Sequence, residues 1–264
     1  MSLFRSVLLI CAIILPGAMV NGMGDGFLFE ENPRLPGTIM ITGYTGTDSA
    51  IIVPGQLDGK PVTGIGNTAF RNSGSLQHIT LPGSVVTIGT AAFANCTNLT
   101  GVVLGSGVQS IGNSAFRGCS ALESIVLPDS VTEIGNDIFR ECTTLQSITL
   151  STNLMAISEF AFRDCANLEA LVIPDSVTQV GRRALMGCTN LRSLTIGKNV
   201  RDFGCCAFTS CRKLTSITVS EESKYYSANE TGLYNKRTRR NEFTYPGARP
   251  HSPARRPSIW DLFF

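Results

Sequence analysis

Side chains able to act as nucleophiles, acid–base groups or metal ligands are scarce in this chain. There are two histidines, His78 and His251, and nine cysteines in 264 residues. Neither histidine has neighbours that suggest a nucleophile or a metal centre. The cysteines are patterned: Cys96, Cys119, Cys142, Cys165, Cys188 and Cys211 recur every 23 residues. Cys205 and Cys206 stand side by side outside that series, and Cys11 lies in an apolar run near the start. Such thiols could cross-link, bind a metal or act as nucleophiles, depending on how the chain places them. Gly22, Gly24 and Gly26 do not follow a strand-like run, so no nucleotide-binding loop is indicated. No catalytic, metal-binding or cofactor-binding residue is assigned; no cofactor and no enzymatic activity are expected.

The elements that position these cysteines follow from the repeat itself. The same 23-residue step relates Phe70, Phe93, Phe116, Phe139, Phe162, Leu185 and Phe208. It also relates Leu76 to Leu214, Ile79 to Ile217 and Leu81 to Val219, each through seven copies without an insertion. The consensus is V-x-x-I-G-x-x-A-F-x-x-C-x-x-L-x-x-I-x-L-P-x-S. A period of about 20–29 residues built on L-x-x-L-x-L marks a leucine-rich repeat, in which each turn buries its apolar columns against the next. The expected fold is an α/β-type repeat solenoid, mostly β, with short parallel strands, turns and short 3₁₀ or helical segments. The L-x-x-I-x-L segment is the strand, and I-G-x-x-A-F-x-x-C is read as turns or a short helical turn.

This placement decides the chemistry of the six periodic cysteines. Equivalent positions on stacked turns have parallel side chains ~4.8 Å apart, whereas a disulfide needs Cβ atoms ~3.8 Å apart and a dihedral near 90°. One face of parallel thiols cannot surround a tetrahedral ion either. The expectation is a structural ladder of reduced, buried thiols donating weakly to turn carbonyls. Cys205 and Cys206 fall outside it, at the places of Arg182 and Arg183, and are the candidates for reactive or bridging thiols. Arg71, Arg117, Arg140 and Arg163 form a further column, expected to be partly paired with Glu141, Asp164 and Glu159.

The pattern L-P-x-S-V-x-x-I-G-x-x-A-F-x-x-C, best seen from Leu81 to Cys96 and from Leu127 to Cys142, resembles the BspA-like leucine-rich repeats of secreted and surface proteins. The resemblance covers about residues 38–235. It implies a curved parallel-sheet solenoid and roles in adhesion and protein binding, usually without catalysis. A second period is nested within the first: Pro82, Pro128 and Pro174 alternate with Gly105, Ser151 and Gly197. Gly107, Asn153 and Asn199 follow the latter three. Because Gly and Asn tolerate φ > 0, two alternating turn geometries are expected along one edge.

The ends differ from the array. Residues 1–22 have the layout of a signal peptide, with Arg5 before nine apolar residues and then Pro16-Gly17. No further run is long enough to span a membrane, so no transmembrane segment is expected after its removal. Residues 23–55 are read as an N-terminal cap in which 38–53 form a β-hairpin. Seven repeats fill 56–220, an irregular unit fills 221–235, and a basic, disordered tail fills 236–264. That tail carries seven basic and two acidic residues, which conceals an acidic body beneath the total of +2. It could end the chain without structure, touch anionic surfaces or act in docking. A net charge so near neutral excludes a dedicated nucleic-acid binder.

The strand positions that point outward offer a candidate binding face. Thr80, Val103, Val126, Thr149, Val172, Thr195 and Thr218 form one column, with Ser124, Ser147 and Ser193 beside it. Gln77, Glu123, Gln146, Glu169 and Arg192 rim it. The stripe is small, uncharged and free of aromatic anchors. The expected function is that of a noncatalytic secreted or cell-surface protein that binds an extracellular or surface protein, or a glycan, through this face. A structural or antigenic spacer, or a fragment of a longer array, is the alternative.

Overall fold

The computed structural model describes residues 22–24 and 26–246. Within them the chain winds through eight turns, each contributing one strand to each of two parallel ladders. The major ladder comprises Ala50–Ile52, His78–Thr80, Gly101–Val103, Ser124–Val126, Ser147–Thr149, Ala170–Ile173, Ser193–Ile196 and Ser216–Val219. The minor ladder comprises Ile39–Tyr44, Lys60–Ile65, Thr87–Ile88, Ser110–Ile111, Glu133–Ile134, Ala156–Ile157, Gln179–Val180 and Asp202–Phe203. Register follows the sequence period: Ser124 faces Ser147, Ile125 faces Ile148 and Val126 faces Thr149. On the other side Ser110 faces Glu133 and Ile111 faces Ile134.

The described residues contain no helix. The I-G-x-x-A-F-x-x-C stretch is a minor-ladder strand end followed by tight turns, and this corrects the α/β and helical part of the expected fold class. Only about eight residues separate the minor strand from the cysteine, and N–H groups there bond to the next turn of the solenoid rather than along the chain. Phe93 N–H reaches Ala115 O at 2.8 Å and Phe116 N–H reaches Ile138 O at 2.9 Å. A helix would withdraw those donors from the stack. Two residues per turn lie at positive φ there, one series running from Thr68 and Ala91 to Cys206 and a second from Asn72 and Asn95 to Ser210.

The core lies between the ladders. Phe70, Phe93, Phe116, Phe139 and Phe162 are fully buried and stack nearly parallel, with adjacent centroids 5.2–5.7 Å apart. Leu185 ends the stack without leaving the core. Glycine fills the I-G column in most turns, where the neighbouring turn approaches closely, and Ser158 holds the place in one. A Cβ on Gly135 would sit 2.3 Å from Asn113 N.

Three expectations about the periphery change. The segment 38–53 is not a hairpin: Ile39–Tyr44 pairs in parallel with Lys60–Ile65, and Ala50–Ile52 with His78–Thr80. Ile39, Ile41 and Ile51 fill the core columns, so this segment is a shortened solenoid turn without the Gly, Phe, Cys and first Leu of the consensus. The antiparallel cap lies upstream, where Gly22–Gly24, Phe27–Glu31 and Ile39–Tyr44 pair in succession. A short hairpin of Gln56–Leu57 with Lys60–Pro61 turns at Asp58-Gly59, both at positive φ.

The tail does not begin at 236. Tyr226–Asn229, Gly232–Asn235 and Arg240–Thr244 form an antiparallel sheet that closes the C-terminal end. Leu233 is fully buried, and Phe243 packs 5.4 Å from Phe208. The basic residues Arg237, Arg239 and Arg240 stay exposed on the outer strand and its turn. Charge on a cap's outer face is compatible with order, because that face meets no further repeat. The segment expected to be a signal peptide, except its last residue Gly22, and the tail from 247 onward lie outside the described residues.

The Pro/Gly alternation does not alter backbone handedness. Gly105, Gly107, Asn153 and Asn199 are absent from the residues at positive φ. The same i+3 bond closes both types of turn, as in Val108 N–H to Gly105 O and Val131 N–H to Pro128 O, at 3.2 and 2.9 Å. What alternates is contact between turns. A Cβ on Gly105 would lie 2.1 Å from Pro82 O, and Asn153 and Asn199 donate to Asp129 O and Asp175 O at 2.8 Å. Thr152 gives Asp129 two further hydrogen bonds, which hold its carboxyl below the usual range.

Candidate binding surface

The parallel pairing of the major ladder aligns every second side chain outward. It brings Thr80, Val103, Val126, Thr149, Val172, Thr195 and Thr218 into one column, with Ser124, Ser147 and Ser193 in the next. The alternate residues Ile79, Ile125, Leu171 and Leu194 point inward and are buried. Val103, Val126 and Val172 are 59–61% exposed. Ile52, missed in the sequence because its turn was read as a hairpin, heads the same column at 78% exposure. The signal was present: Ala50-Ile51-Ile52-Val53 matches His78-Ile79-Thr80-Leu81. Glu123, Glu169 and Arg192 are exposed at the rim.

The six periodic cysteines form a column in the connection from the minor to the major ladder. Each thiol donates to a carbonyl one turn back. Cys96 reaches Phe70 O at 3.0 Å, Cys119 Phe93 O at 3.2 Å, Cys142 Phe116 O at 3.1 Å and Cys165 Phe139 O at 3.0 Å. Cys188 and Cys211 reach Phe162 O and Leu185 O at 3.1 Å. All six are free and buried. Burial pushes the Cys142 and Cys211 thiols up to about 12 and the Cys96 thiol to about 11. Such thiols are neutral and poor nucleophiles. Cys205 and Cys206 are exposed.

The arginine column is paired in part. Arg117 meets Glu141 at 3.3 Å, Arg140 meets Asp137 and Glu141 at 3.2 Å, and Arg163 meets Asp164 at 3.1 Å. Arg182 and Arg163 also lie over the Phe160 ring. These partly exposed pairs add little stability each. Among the described residues, no three His, Cys, Asp or Glu side chains are grouped to hold a metal ion, and no helix is long and apolar enough to cross a membrane.

Stacked 23-residue turns, a thiol column and a parallel outward stripe define a leucine-rich repeat solenoid. The model of the BspA type leucine rich repeat region matches residues 63–192 and 155–238 in six copies, and the chain belongs to that family. A leucine rich repeat protein of T. pallidum is similar in structure, with a TM-score of 0.58 and 30% identity over 76% of this chain and 84% of that one. A leucine rich cell surface protein of Faecalibacterium prausnitzii A2-165 is similar with a TM-score of 0.57 and 27% identity. The match covers 84% of this chain and 60% of that protein. No enzymatic family is indicated, and no curated protein matches in sequence.

Proposed function

We propose that this protein is a noncatalytic secreted or cell-surface binding module that engages a surface protein, or a glycan, through the outward columns of its major ladder. The observation that carries the reading is the exposed column Ile52, Val103, Val126 and Val172, interleaved with threonines. Solvated strands favour β-branched residues for their own sake, but apolar side chains repeated along one uncharged face also give a partner continuous surface to bury. The leader-like segment 1–22 and the likeness to a bacterial cell surface protein support the location.

The test is binding of the labelled chain to intact cells and immobilised matrix proteins, with and without Thr149→Ala, Val172→Ala and Thr195→Ala together. Reduced binding at unchanged stability is the expected result. Unchanged binding would favour a structural or antigenic spacer. Sensitivity to protease or to periodate then assigns the partner to protein or glycan.

A further inference from the structure

Eight cysteines lie in the described residues, and the fold treats them in two ways. Six are buried beneath the turns and tied to carbonyls. Cys205 and Cys206 occupy the turn after the last minor-ladder strand, and both are exposed. Their backbone is held in place: Cys205 O accepts from Arg183 N–H at 3.1 Å, and Cys206 O accepts from Thr209 N–H at 3.2 Å. Cys206 takes the left-handed conformation, φ 64°, that the six turns before it have at this position, from Thr68 to Arg183. The same turn borders an open hollow of about 320 Å³ against the C-terminal cap, lined also by Phe203, Phe208, Thr209, Glu242 and Phe243.

Two exposed thiols could hold a metal, bond to each other or bond to something outside. A metal lacks a ligand set, since among the described residues no three His, Cys, Asp or Glu side chains are grouped to hold one. A bond between them is hindered, because adjacent Cα atoms across a trans peptide are ~3.8 Å apart and disulfides usually need ~4.4–6.8 Å. The hollow beside them leaves room for an external group. We infer that Cys205 and Cys206 form a covalent tethering site that takes up external thiols as mixed disulfides, from a small thiol such as glutathione or from a second copy of the chain.

The reaction is thiol–disulfide exchange. A thiolate sulfur of Cys205 or Cys206 attacks one sulfur of an incoming disulfide. The new S–S bond forms as the old one breaks, and the leaving sulfur carries away the electron pair and takes up a proton. The incoming disulfide is the only oxidant needed. The buried ladder is excluded by access and by its neutral thiols.

The full chain, purified reduced, is incubated with excess glutathione disulfide at mildly alkaline pH and examined by intact mass and peptide mapping. The expected result is glutathionyl addition confined to the peptide carrying Cys205 and Cys206, and lost in the Cys205→Ser, Cys206→Ser double variant. Mixing the glutathionylated chain with fresh reduced chain tests the second source. A disulfide-linked dimer assigns the site to chain–chain tethering, and its absence assigns the site to small thiols. The inference is overturned if the native chain takes up no adduct, if adducts fall on the ladder cysteines, or if it only loses two hydrogens by joining Cys205 to Cys206.

Discussion

The two ladders stand on opposite sides of one core and come from the same repeat, yet they differ in what they offer outside. The major ladder has strands of three or four residues and an outward column of Val, Ile and Thr. Most strands of the minor ladder have two residues, and its outward positions include Thr87, Ser110, Glu133 and Gln179. Its following glycines sit hard against the turn below. Gly89, Gly112 and Gly135 would each bring a Cβ within 2.7 Å of backbone. The turns after the major strands are packed as closely, with Cβ atoms on Gly105 and Gly197 falling within 2.5 Å of Pro82 O and Pro174 O. What separates the two faces is the outward column, apolar and β-branched on the major ladder and mostly polar on the minor one.

The largest expected effect concerns what both ladders share. The ladder thiols titrate near 9.0 when unperturbed, but at about 11 for Cys96 and about 12 for Cys142 and Cys211 in the folded chain. The folded state thus keeps protons that the unfolded state loses in this window. Stability is complete below pH 9 and falls as pH rises toward 12, by about 1.4 kcal/mol per pH unit for each thiol. All six thiols are shifted in the same direction by burial, so their losses reinforce one another. Urea midpoints between pH 7 and pH 11 should show a steep alkaline loss that is shallower in Cys142→Ala.

Next comes the ring stack. Phe116→Ala removes a fully buried ring stacked on both sides and should cost about 3–5 kcal/mol, measured by urea unfolding. A smaller effect separates a packed turn from an open strand position. Gly135→Ala places a Cβ 2.3 Å from backbone in the turn after a minor-ladder strand and should cost about 1–3 kcal/mol. Gly101→Ala in the major ladder meets only the exposed His78 side chain, which can swing away, so its midpoint should be nearly unchanged. Equal losses would break the contrast between a turn packed on backbone and the open outward side of a strand. The smallest effect is at the surface: Val126→Thr should stay within about 0.5 kcal/mol of the parent.

The sequence made the major ladder legible because four apolar columns and the inward–outward alternation of L-x-x-I-x-L recur seven times. The outward stripe followed from that register alone. The minor ladder was hidden, since a two-residue strand such as Ser110-Ile111 has no alternation to read, and its Gly looked like a turn signal. The first turn was hidden for another reason: Ile39, Ile41 and Ile51 fill core columns without the Phe and Cys that announce them. At the C-terminal end, basic residues masked the cap. Leu233 and Phe243 close the core, while Arg240 and Glu242 on the outer strand are exposed. Net charge spoke for disorder there, whereas the spacing of apolar residues within it spoke for a sheet.

If recognition belongs to the major ladder and not the minor one, cell-surface binding of two variants of equal stability will differ. One carries Val126→Arg and Val172→Arg on the major ladder, and the other carries Glu133→Arg and Gln179→Arg on the minor ladder. All four positions are exposed on their strands. The account predicts that the first pair abolishes binding and the second leaves it intact. Binding retained by the first pair and lost in the second would contradict it.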